Sequence, residues 1–138
     1  MNALLAGWAA GYIMAVASTV ALVFLVIRLS MAGRWLDRWV ANEVPRPLLA
    51  VPVSLGATVA WTMIGLLLAS FYEVADFEAK PGALGSPSWP FTLIIVVLAL
   101  LPLPPLLLLA RRYSWLWGAL SVLFAALFGW MMPVLAAR

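Results

Sequence analysis

Four long runs without a charged residue restrict the fold of this chain more than any other feature. The runs cover residues 3–27, 47–72, 90–110 and 113–137. A helix needs about 20 apolar residues to cross the hydrocarbon core of a bilayer, and each run reaches that length. Because lipid offers no partner for backbone N–H and C=O groups, such runs are expected to be helical. The sequence predicts an all-α integral membrane protein with four transmembrane helices in an antiparallel bundle.

The composition agrees with this fold class and bounds the number of domains. Of the 138 residues, 67% are hydrophobic and 9% are charged, whereas soluble domains contain about 45–50% apolar residues. Spans at about residues 3–28, 48–72, 90–110 and 114–136 leave short connections between them. We therefore expect one four-helix transmembrane domain over residues 1–138. The first span lacks the basic region that precedes a secretory signal, so we expect it to be retained.

The distribution of basic residues predicts the orientation in the membrane, because cytoplasmic loops are enriched in Lys and Arg. The first and third connections carry six of the seven Arg residues: Arg28, Arg34, Arg38, Arg46, Arg111 and Arg112. The opposite side has Lys80 and Arg138. The strong use of Arg over Lys, with abundant Ala and Gly, indicates a GC-rich bacterial genome. We expect a multi-pass protein of the bacterial inner (cytoplasmic) membrane with both termini on the outer, periplasmic side.

Small residues recur at four-residue spacing in three of the predicted helices. This spacing allows the close backbone approach by which membrane helices associate. The candidates for helix packing or a partner interface are Gly7, Gly11 and Ala15 in the first span, Thr58 and Thr62 in the second, and Gly118, Ala125 and Gly129 in the fourth. These faces either hold the bundle together or bind another protein.

The third predicted helix contains Pro102, Pro104 and Pro105 near its middle. Each proline removes an N–H and leaves the carbonyl four residues earlier without its donor, so a kink is expected. Neighbouring Ser or Thr hydroxyls or water can satisfy such carbonyls, or the carbonyls can line a solute path, as in transporters. Trp61, in the middle of the second span, either donates to a neighbouring helix or lines a small-molecule or pigment site. Trp61 and the three prolines are thus the candidates for a solute path.

The first connection contains a short amphipathic segment at residues 30–44. Arg34, Trp35, Arg38 and Trp39 alternate there between the polar and the apolar side. Such a segment lies in the headgroup layer, so we expect a short interfacial helix that contacts lipid or a partner protein in the first cytoplasmic loop.

Several residue types that carry chemistry are missing from the chain. It has no Cys and no His, and the four uncharged runs contain no Asp, Glu, Lys or Arg. Proton relays and ion paths in membranes normally use ionisable residues, and the carboxylates Glu73, Asp76 and Glu78 of the second connection make a weak pattern for catalysis. We expect no enzyme activity, no catalytic or metal-binding residue and no dedicated cofactor, although bound lipid or pigment stays open. The basic residues lie in short loops, so no nucleic-acid partner is expected.

Together these observations favour a small, non-catalytic, accessory or structural subunit of a larger membrane complex of respiratory or photosynthetic type. Its partners would be the lipid bilayer and other membrane-protein subunits, or further copies of the chain. The alternative is a homo-oligomeric channel or carrier for a small neutral solute.

Overall fold

The computed structural model describes residues 2–31, 50–75, 77, 88–105 and 111–137. These residues form four main helices, α1 (Ala3–Met31), α2 (Ala50–Val74), α3 (Trp89–Leu100) and α4 (Ser114–Ala136). No strand occurs within these ranges, so the expected all-helical class is confirmed for them. The interfacial segment predicted at residues 30–44 begins within the last residues of α1. Its remaining residues, 32–44, lie outside the described part of the chain.

Three of the helices are long and apolar enough to cross a membrane. They are α1, α2 and α4, in agreement with a multi-pass membrane protein. The third apolar helix is shorter and is described only as far as Trp89–Pro105. Residues 106–110, which would complete the expected third span, lie outside the described part of the chain.

The buried core lies at one end of the molecule, which we call the closed end. It combines the start of α1, the end of α2, the start of α3 and the end of α4. Tyr72, Phe77 and Phe91 pack there as a group of rings, with the centroids of Tyr72 and Phe91 4.9 Å apart. Phe128 is also fully buried at this end. Because aromatic side chains bury the largest apolar areas, the four helices are fixed to one another mainly here.

The helices form two antiparallel hairpins. The first hairpin consists of α1 and α2, which contact each other along most of their length. The second consists of α3 and α4, and the end of α4 packs against α1. The ring of Phe24, late in α1, contacts that of Trp115, early in α4, so α1 and α4 also run in opposite directions. The start of α1 and the end of α4 consequently lie together at the closed end.

A π-helical turn, Leu127–Met131, interrupts α4 near its end. Pro133 has no N–H to donate to the carbonyl of Gly129, four residues earlier. The Thr92 hydroxyl of α3 donates to this carbonyl oxygen at 2.6 Å. A side chain of the neighbouring helix thus provides a hydrogen bond that the proline cannot provide, which joins α3 to α4 within the second hairpin.

Candidate functional site

The contact between α1 and α2 is a direct approach of two backbones. A Cβ atom added at Gly7 would overlap the carbonyl oxygen of Gly65 and would lie 2.6 Å from the Ala69 side chain. One added at Gly11 would overlap the carbonyl oxygen of Trp61. Glycine is therefore required at Gly7 and Gly11 for this helix separation. Among the small residues singled out in the sequence, these two lie at the tightest contact.

The other small residues of the first hairpin have different surroundings. Ala15 is fully buried one turn beyond Gly11. The Thr58 hydroxyl donates to the Ser54 carbonyl oxygen at 2.7 Å, and the Thr62 hydroxyl donates to the Thr58 carbonyl oxygen at the same distance. Both threonines therefore satisfy their hydroxyl donors within α2, which leaves little polar capacity for a solute.

The three small residues of α4 separate into two groups. Gly129 is buried, and a Cβ atom added there would lie 3.4 Å from the Ile95 side chain of α3, an ordinary contact. Ala125 is half-buried. At Gly118 an added Cβ atom would meet nothing within 4 Å. Gly129 hence packs inside the second hairpin, whereas Gly118 lies beside open space.

Away from the closed end the two hairpins diverge and leave an open cavity of about 370 Å³, which we call the inter-hairpin cavity. All four helices contribute to its walls. Met14 comes from α1; Trp61, Ile64 and Leu68 come from α2; Leu98, Ala99 and Pro102 come from α3 and the turn after it; and Trp117, Leu120, Ser121 and Phe124 come from α4. Every lining side chain is uncharged and only Ser121 and the two tryptophans carry a polar atom, so the cavity suits an apolar molecule.

Two of the expected solute-path residues, Trp61 and Pro102, line the inter-hairpin cavity. The Trp61 ring contacts the Phe124 ring of α4, with centroids 5.9 Å apart. Pro104 and Pro105 are exposed and are not among the lining residues. The structure thus brings Trp61 together with one of the three prolines.

The inter-hairpin cavity contains the polar groups of Trp117 and Ser121, which were not among the sequence-based candidates for a solute path. The Trp117 Nε1 atom is buried and has no hydrogen-bond acceptor in the described part of the chain. Ser121, one helical turn later, likewise makes no hydrogen bond through its hydroxyl to the described residues. The sequence shows that the two residues are four positions apart. It does not show that their polar groups lack hydrogen-bond partners in the described part of the chain.

A second open cavity, of about 360 Å³, lies between the end of α1 and the start of α4. Phe24 and Trp115 both line it, and its other walls are formed by Ala, Val and Leu side chains. Leu120 borders both this cavity and the inter-hairpin cavity. With no hydrogen-bonding group exposed in its walls beyond Trp115, this cavity offers packing but little chemical selectivity.

The expected interfacial contact residues Arg34, Trp35, Arg38 and Trp39 lie outside the described residues. Within the described part, no group of three or more carboxylates could hold a metal ion. The carboxylate that the structure does describe in the second connection, Glu73, is exposed.

Comparison with protein families, with curated proteins and with solved structures finds no match for this chain.

Proposed function

We propose that the chain is a non-catalytic accessory or structural subunit of a larger membrane complex, of respiratory or photosynthetic type. In this proposal α3 continues through residues 106–110 as a fourth span that is kinked at Pro102. The protein lies in a bacterial inner membrane with both termini on the periplasmic side, as the positions of its Arg residues favour. Other membrane subunits pack against its outer helix faces.

The exposure of α2 is the observation that carries this proposal. Only 6% of the most apolar stretch of α2 is buried, compared with 33% for α1 and 28% for α4. Val51, Leu55, Val59 and Met63 are more than half exposed along it. A helix that packs mainly on α1 leaves most of its circumference for lipid or for a helix of another subunit.

The exposed side of α2 also carries an unused pair of small residues. Gly56 and Ala60 are both exposed, and a Cβ atom added at Gly56 would meet nothing within 4 Å. Small residues four positions apart permit close helix approach in membranes. Lipid chains gain nothing from this spacing, so the pair favours a protein helix as the neighbour.

Co-purification tests the accessory-subunit proposal. The tagged chain is extracted gently from its native membrane into nanodiscs, and co-purifying subunits are identified by mass spectrometry. Gly56→Leu should remove these subunits, because its side chain separates the helices. Val97→Leu, at an exposed position of α3, is the matched control and should retain them. A wild-type chain that migrates alone as a monomer or small homo-oligomer would contradict the proposal.

A homo-oligomeric channel or carrier for a small neutral solute is the second candidate. The presence of Trp61 and Pro102 in the same cavity favours it. Solute flux into liposomes that contain the purified chain, reduced by Trp61→Leu and by Pro102→Ala, which change residues that line the cavity, would support this candidate. No flux across a broad panel of neutral solutes, under conditions in which the chain stays folded, would eliminate it.

A further inference from the structure

We infer that the inter-hairpin cavity is a binding site for a lipid-soluble molecule with a planar, carbonyl-bearing ring, of the quinone class. The inference goes beyond the proposed subunit role and does not depend on it, because the whole site lies within one chain. It rests on three features of the cavity: two hydrogen-bond donors without acceptors, aromatic walls and a size suited to a small ring.

The donors come from one face of α4. Residues four apart on a helix are neighbours on the same face, so Trp117 and Ser121 present their polar groups one turn apart. The indole N–H can only donate a hydrogen bond, and the hydroxyl can donate as well as accept. In the described part of the chain neither group has a partner. A neutral oxygen with two lone pairs, such as a ketone oxygen, can accept from both.

The aromatic walls select for a flat ring over a flexible chain. Trp61, Trp117 and Phe124 all line the cavity. Aromatic faces and edges pack favourably against other planar rings, whereas an aliphatic ester offers the same carbonyl without a planar system. The volume of about 370 Å³ falls in the lower part of the roughly 300–1,000 Å³ found for small-molecule sites. This volume suits one ring and the start of its hydrocarbon tail.

Ligand entry requires a side-chain movement. The Trp117 Nε1 atom is covered by neighbouring side chains, so a lining side chain must change rotamer before the ligand oxygen can reach the N–H. Rotamer changes of this kind are common when ligands and partners bind. Leu98 and Leu120, with their flexible side chains, border the cavity together with Trp117.

Equilibrium binding of a short-tailed 1,4-benzoquinone to the purified full-length chain tests the inference. The chain is placed in nanodiscs of ether-linked phospholipids, which lack ester carbonyls, and empty nanodiscs correct for partition into lipid. Trp117→Phe removes the N–H but keeps an aromatic ring, and Ser121→Ala removes the hydroxyl. Trp130→Phe and Ser70→Ala are the matched controls, since Trp130 and Ser70 are exposed and do not line the cavity. Circular dichroism and gel filtration confirm that each variant is folded.

We expect saturable binding of one quinone per chain. Trp117→Phe and Ser121→Ala should each weaken it by about three- to tenfold, as expected for the loss of one hydrogen bond, and the two controls should leave it unchanged. Ala99→Leu, which fills the cavity, should abolish it. No saturable binding, or equal affinity in Trp117→Phe, Ser121→Ala and wild type, would overturn the inference. Displacement of the quinone by ester-linked phospholipid or by a plain alkane would also overturn it, because the occupant would then be a lipid chain.

Discussion

Thr92 compensates for a hydrogen bond that Pro133 cannot make. Its hydroxyl lies 2.9 Å from the Ser88 carbonyl oxygen, just before its own helix, and 2.6 Å from the Gly129 carbonyl oxygen. The closer of the two contacts joins α3 to α4. Hydrogen bonds between membrane helices contribute about 0.6 kcal/mol on average and up to about 1.7 kcal/mol. We predict that Thr92→Val lowers the free energy of unfolding by about 1 kcal/mol, measured by titration with sodium dodecyl sulfate and followed by circular dichroism.

Thr62→Val is the control for this prediction. The Thr62 hydroxyl donates to carbonyl oxygens of its own helix, so its loss should change the stability by less than about 0.5 kcal/mol. An equal loss in both variants would mean that the hydrogen bond between α3 and α4 does not contribute to stability.

At the scale of single residues, the sequence shows which groups can form hydrogen bonds, but it does not show which groups they bond to. The effect of proline on a preceding carbonyl was expected for Pro102, yet the compensated carbonyl in the structure is that of Gly129, before Pro133. Trp117 could be predicted as an interfacial tryptophan from its position near Arg112. That its indole N–H is buried without an acceptor depends on the packing of other helices, which hydropathy does not determine.

At the scale of elements, the contact between α1 and α2 can be tested by adding one side chain. Gly7→Val would add a Cβ atom that overlaps the Gly65 carbonyl oxygen. Overpacking typically costs about 1–3 kcal/mol, so we predict a loss of this size in the same detergent titration. Gly118→Val, which meets open space, should stay within about 0.5 kcal/mol of wild type. Equal stability of the two variants would show that the backbones of α1 and α2 are not in contact at Gly7.

The sequence predicts the long elements well and their interruptions poorly. Charged residues terminate the apolar runs, so the expected spans 48–72 and 114–136 match α2 (Ala50–Val74) and α4 (Ser114–Ala136) closely. The π-helical turn in α4 has no hydropathy signal, because it changes the hydrogen-bond pattern without changing polarity. The pairing into two hairpins follows from the contacts of small and aromatic residues, which become visible only when the helices are packed.

At the scale of the whole molecule, the position of the core predicts where stability is concentrated. Phe91 is fully buried at the closed end, whereas Phe71, nearby on α2, is 48% exposed. Removal of a buried Phe side chain costs about 3–5 kcal/mol. We predict a loss of this order for Phe91→Ala and a smaller loss for Phe71→Ala, measured as thermal unfolding in detergent. A larger effect of Phe71→Ala would place the core elsewhere.

The common position of the two chain ends leads to a topology prediction. An even number of spans puts both termini on one side of the membrane. Because the chain has no native Cys, an introduced Cys is the only thiol of this chain that can be labelled. We predict that Asn2→Cys and Ala137→Cys both react with an impermeant maleimide in intact bacterial cells. Arg112→Cys should react only after the membrane is opened. Labelling of one terminus alone in intact cells would contradict the fourth span.

The glycine contact between α1 and α2 also determines how this protein tolerates mutation. Every other amino acid brings at least a Cβ atom, so at Gly7 and Gly65 conservative and radical replacements share the same defect. A saturation library should show nearly uniform loss at these two positions. At the exposed positions of α2 the tolerance should instead follow side-chain hydrophobicity. Polar substitutions should reduce the amount of folded protein, and apolar substitutions should retain it.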